Sequence, residues 1–279
     1  MSFVGTVRTT LGGILVESLA ASPARRAAQL GLESIAYTVF AVGFLAAIGM
    51  QEAGLISIFL VAAPLSDRLM QLLEENREAI WTHGMSGWRA NRRTAAGVLW
   101  IFLGVLFGYA AIASWLGGTG DVSLFEFALV AANVGTESLQ DRVFGNTWEL
   151  LAHNLTVALA VACLAFVYRG YGVMLALAWN ACVWACVLSV LALRGDSPGL
   201  LVAALAVLPH LILEAGGYIL VALAAIFSSK ALSSYDLGEG RQLRALRASF
   251  VLLLLAAATL LAGAWIEANV PALVLSTSS

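Results

Sequence analysis

Long apolar runs separated by short polar breaks organise this chain, and the runs carry the helical rather than the strand period. Residues 4–19 come first: Val4, Val7, Leu11, Ile14, Leu15 and Leu19 recur at helical spacing, on a segment too short and too polar to cross a bilayer. It reads as an amphipathic helix lying on the membrane surface and ending at Pro23, Arg25 and Arg26. The run 33–64 is too long for one ordinary span and short for two, with Gln51, Glu52 and Gly54 in its middle. Residues 65–93 follow as an amphipathic helix starting near Pro64, Ser66 and Asp67, with Leu65, Leu69, Leu72, Leu73 and Ile80 on one stripe. Spans are then predicted over 95–116, 150–168, 173–193, 200–227 and 250–266. A short interfacial helix over 124–134 sits behind the capping box Ser123-x-x-Glu126. Arg169-Gly170-Tyr171-Gly172 and residues 194–199 read as tight turns.

Charge decides the ambiguous run. Cytoplasmic loops collect arginine and lysine. Arg8, Arg25 and Arg26 precede residues 33–64, and Arg68, Arg77, Arg89, Arg92 and Arg93 follow. Both flanks therefore read as cytoplasmic, and the run becomes a hairpin or re-entrant pair turning at residues 50–54. The alternative is one tilted span with the N-terminus outside. With the hairpin, every basic residue except Arg142 and Arg194 falls on the cytoplasmic side, the acidic segment 118–148 lies outside, and the C-terminus ends outside.

Composition agrees: 61% of residues are hydrophobic and 11% charged, which describes a multi-pass protein of the cell membrane. The fold class is an all-α polytopic transmembrane bundle of about six to seven membrane segments. It divides into residues 1–93 (surface helix, membrane hairpin, cytoplasmic helix) and a five-span core over 94–279. No basic domain is present to bind nucleic acid. Cys163, Cys182 and Cys186 all fall in apolar spans and read as small buried hydrophobes.

The chemistry lies in the polar residues within spans. Pro209, His210 and Glu214 share the run 200–227, and His210 and Glu214, four apart, share one helix face. His153 and Asn154, Asn180 and Glu267 come from three other spans. Ionisable groups at membrane depth face the bundle interior or a wet cavity. Either each is satisfied separately, or they line one cavity. A lone carboxylate at Glu214 needs donors there, and His210, Asn180 and Asn154 are the available partners. Gly104-x-x-x-Gly108 offers a close-approach face, within the bundle or between subunits.

These motifs carry a resemblance. The segment 144–158 ending in His153-Asn154, the turn Gly170-Tyr171-Gly172 with Leu175 to Asn180, Leu208-Pro209-His210 with Glu214, and the closing Ala264-Trp265-Ile266-Glu267-Ala268-Asn269-Val270-Pro271 occur in the order found in the stage II sporulation protein M family. The likeness covers about residues 95–272. His153, Ala181 and Leu211 stand where that pattern has asparagine, glycine and glycine. The resemblance implies a multi-span helical membrane protein. Sporulation members belong to a membrane complex with peptidoglycan-degrading enzymes.

Three functions follow as expectations. The first is a membrane scaffold or assembly component, whose partners are the bilayer and other membrane proteins or a second copy. The second is a transporter or channel using the polar residues of the spans. The third is an intramembrane hydrolase with His210, Glu214 and His153 as metal ligands. The chain has no His-Glu-x-x-His, serine elbow, phosphate-cradling loop or dinucleotide fingerprint, so the sequence points away from an enzyme and calls for no metal or cofactor.

Overall fold

The computed structural model describes residues 23–119, 123–131, 146–193, 200–236 and 238–277. The expected surface helix over 4–19 and the turn 194–199 lie outside them. Among the described residues the chain is helical throughout: α1 (Pro23–Ala47), α2 (Ala53–Trp81), α3 (Gly87–Thr119), a 3-10 turn (Ser123–Phe125) leading into α4 (Glu126–Ala131), α5 (Thr147–Leu193), α6 (Leu200–Ser234) and α7 (Gly240–Thr277). Six of these helices are long and apolar enough to cross a membrane.

Residues 33–64 resolve into a hairpin of two full-length helices, which removes the single tilted span. α1 ends in a glycine cap: Gly49 has φ 75°, its N–H reaches the Ala46 carbonyl at 2.9 Å, and the Met50 N–H reaches the Leu45 carbonyl at 3.1 Å. α2 then starts at Ala53, not near Pro64. Pro64 stands inside the helix, so the expected membrane run and cytoplasmic helix are one continuous rod. Leu65, Leu69, Leu72 and Leu73 are buried, and their stripe packs within the chain. Leu72 meets Gly97 of α3, Asn76 donates to Asn91 at 2.8 Å, and Arg26 and Arg68 pair with Glu75 and Glu33.

A straight α5 of 47 residues would be about 70 Å long, more than twice the hydrocarbon thickness. It is instead two arms, broken at Arg169 (φ 51°, ψ −126°). The Leu164 carbonyl oxygen lies 2.2 Å from where a Cβ on Gly172 would sit, an approach that only a reversal of direction permits. Gly170 seats the turn against Ser66 and Met70 of α2, each 3.0 Å from its ideal Cβ. The two glycines thus provide close approach, while the left-handed backbone falls on an arginine. That region costs a residue with a side chain on the order of 1–3 kcal/mol. Counting both arms, the helices make seven crossings. Every described arginine and Lys230 stands at or beyond the end of the bundle that holds this turn.

α1 lies along α3, α2 along α5, and α6 along α7. Between apolar helices in lipid, small residues rather than hydrophobicity set the contacts. Gly104 and Gly108 of α3 face Gly31, Ser34 and Thr38 of α1, so the close-approach face is used inside the chain. Ser34 and Thr38 return their hydroxyls to their own helix, onto Leu30 and Ser34 carbonyls, and present only small surfaces. Gly217 of α6 is pressed by Leu260 of α7, 2.6 Å from its ideal Cβ. Large exposed apolar residues such as Phe40, Phe44, Phe107, Leu159, Phe250 and Leu254 face outward, as lipid contact requires. Two boundaries differ from expectation. α6 continues to Ser234, leaving a short link to α7, and α7 runs through Pro271. Helices do not stop where the hydrocarbon stops, because water can solvate a helix that continues.

Candidate functional site

The first arm of α5 buries one stripe: Asn154, Ala158, Val161 and Ala165. Asn154 is its polar member, about 22 Å along the arm from the Arg169 turn and so inside the hydrocarbon, nearer the opposite face. Its amide Nδ2 donates to Glu214 Oε1 at 2.7 Å, and its Oδ1 accepts from the Tyr218 hydroxyl at 3.1 Å. Glu214 and Tyr218 are one turn apart on α6, so a single asparagine bridges two consecutive turns of the neighbouring helix. Glu214, Asn154 and Tyr218 are each at most 4% exposed.

The third wall is α7. Half-buried Glu267 faces the Glu214 carboxyl side chain to side chain. One turn before Glu267, Gly263 makes room: its ideal Cβ would stand 3.4 Å from Glu214 Cγ and 3.6 Å from the His210 carbonyl oxygen. His210, 2% exposed, turns its ring edge to Trp184 of the second α5 arm, with centroids 5.4 Å apart. Pro209 is exposed, and α6 runs unbroken through it.

The remaining sequence candidates lie elsewhere. His153 is exposed, off the buried stripe that carries Asn154. Asn180 is half-buried and spends its amide on its own helix, donating to the Ala176 carbonyl at 2.8 Å. No group of three or more His, Cys, Asp or Glu capable of holding a metal occurs among the described residues, and His153, His210 and Glu214 do not form a ligand set. Tyr218, Gly263 and Trp184 belong to the neighbourhood and were not singled out from sequence. Tyr218 lies four residues after Glu214 and Gly263 four before Glu267, the spacing that signals a shared face.

A second buried tie links Ser57 of α2 to Tyr109 of α3 at 3.0 Å, with Phe125 against the tyrosine ring. Phe125 and the Leu124 carbonyl close over Gly54, so the segment 123–131 is docked on the start of α2.

These features define a polytopic helical membrane protein whose last four crossings surround a buried amide–carboxyl–phenol cluster. The family model for Stage II sporulation protein M matches residues 97–271, and the chain belongs to that family. The match begins ten residues into α3, takes in α4 to α6, ends six residues before the end of α7, and leaves the α1–α2 hairpin outside. No curated protein and no solved structure gives a significant match.

Proposed function

We propose that this protein is a membrane scaffold, an assembly component of a complex, with no chemistry of its own. The observation that carries the reading is the double use of Asn154. Asn154, Glu214 and Tyr218 consume one another's donors and acceptors, as a structural tie does. Family membership supports the same reading, as do the helix ends projecting beyond the bilayer at the arginine-bearing face, which offer polar surface to a partner.

A transporter is the second reading. Its support is the contact between Glu214 and Glu267, carboxyls from two neighbouring helices within the membrane. Reconstitution of the purified protein into liposomes separates the two, since a scaffold carries no flux.

The scaffold is oriented with its N-terminus in the cytoplasm and its C-terminus outside. The segregation of arginine supports this. With the native cysteines replaced, a cysteine introduced by Asp236→Cys is expected to resist a membrane-impermeant maleimide in intact cells and to react after permeabilisation. Labelling in intact cells would reverse the topology.

A further inference from the structure

Arg169 sits where a glycine would be relaxed. Its φ of 51° with ψ of −126° is close to the first central position of a type II′ turn. Glycines lie one and three residues away, yet the strained position carries the longest basic side chain. Among the described residues the Arg169 side chain forms no hydrogen bond or ion pair. This holds although Asp67 is the immediate neighbour of Ser66, which touches the same turn. Packing therefore does not explain the arginine. The turn lies at the membrane face, level with Ser66 and Met70 of α2. Beside it, Tyr168 is 63% exposed, as a residue of the interfacial aromatic belt would be. Ser229 donates to the Phe166 carbonyl at 2.9 Å, which brings the exposed Lys230 alongside.

We infer that Arg169, flanked by Lys230 and Tyr168, is a binding site for the phosphodiester of an anionic phospholipid in the leaflet at this face. A guanidinium presents paired donors to phosphate oxygens, lysine adds a point charge, and a phenol packs at headgroup level. Binding at the turn clamps the two α5 arms to α2 and α6, and so favours the folded bundle by mass action.

The test uses the full-length protein in neutral detergent, following thermal unfolding as phosphatidylglycerol or phosphatidylcholine is added. Phosphatidylglycerol is expected to raise the midpoint by several degrees more than phosphatidylcholine. Arg169→Gln is expected to weaken the apparent affinity for phosphatidylglycerol by about tenfold. Arg169→Gly relieves the backbone, so it should unfold at a higher temperature without lipid while losing the same response; this separates strain from binding. An undiminished response in both variants overturns the site, as does an equal response of the wild type to the two lipids. Reproduction of the effect by glycerol 3-phosphate in solution would show a soluble phosphate ligand and overturn the lipid assignment.

Discussion

Gly104→Leu is expected to be among the most destabilising single changes in this protein. The ideal Cβ at position 104 falls 2.3 Å from the Gly31 carbonyl oxygen and 2.7 Å from Ser34 Cβ. The first is backbone, so no rotamer change relieves the clash, and α1 must move away from α3 along the contact. Gly108 repeats the situation one turn on, 2.7 Å from Thr38 Cβ. Overpacking of this kind costs about 1–3 kcal/mol when side chains can adjust, and position 104 belongs at or above the upper end. Gly43→Ala on the outer face of α1 is the control. Nothing lies within 4 Å of its ideal Cβ, and alanine is the better helix former. Thermal unfolding in detergent should therefore show a midpoint lowered by several degrees for Gly104→Leu and unchanged or raised for Gly43→Ala. An unchanged midpoint for Gly104→Leu, accompanied by loss of a dimer, would mean that the face packs between subunits instead.

The second large effect is expected at Asn154. Leucine keeps the branched heavy-atom skeleton and removes both halves of the amide, leaving the Glu214 oxygen and the Tyr218 hydroxyl buried without that partner. Each such loss costs about 1–3 kcal/mol. Glu214→Gln should cost far less, within about 1 kcal/mol. Glutamine keeps an Oε1 to accept from Asn154, and its new NH₂ can donate to Glu267. The ranking is the test: Asn154→Leu well below wild type, Glu214→Gln close to it. Equal and large losses in both would mean that the Glu214 charge itself supports the fold.

Much of the fold was legible in the sequence because membrane helices announce themselves by length and by where arginine collects. The hairpin over 33–64 follows from charge on both flanks, and the 169–172 reversal from its arginine and glycines. Helix ends were less legible. Pro64 and Asp67 imitate a helix start, but Ala53–Trp81 is continuous, since a proline costs little where its lost donor and freed carbonyl are accommodated locally. In the polar cluster, sequence places residues by depth better than by direction. Spans that are apolar all round lack the periodicity that marks a buried face, so the pairing of Gly31, Ser34 and Thr38 with Gly104 and Gly108 is invisible until the helices are docked. His153 and Asn154 are adjacent in sequence and hence about 100° apart around the helix, so one faces in when the other faces out. Asn180 satisfies itself on Ala176, a choice that leaves no trace in sequence. Tyr218 reads as an ordinary apolar residue until Asn154 is placed beside it.

The scaffold reading makes the Asn154–Glu214–Tyr218 cluster a structural tie. It is tested most directly by ion and proton flux through proteoliposomes of purified wild-type protein and of Glu214→Gln, with Asn154→Leu as a fold-perturbed control. The scaffold account predicts flux equal to protein-free liposomes for wild type and Glu214→Gln alike, with both proteins folded. Flux in the wild type that disappears in a folded Glu214→Gln protein would contradict it and establish the carboxyl as a working group in transport.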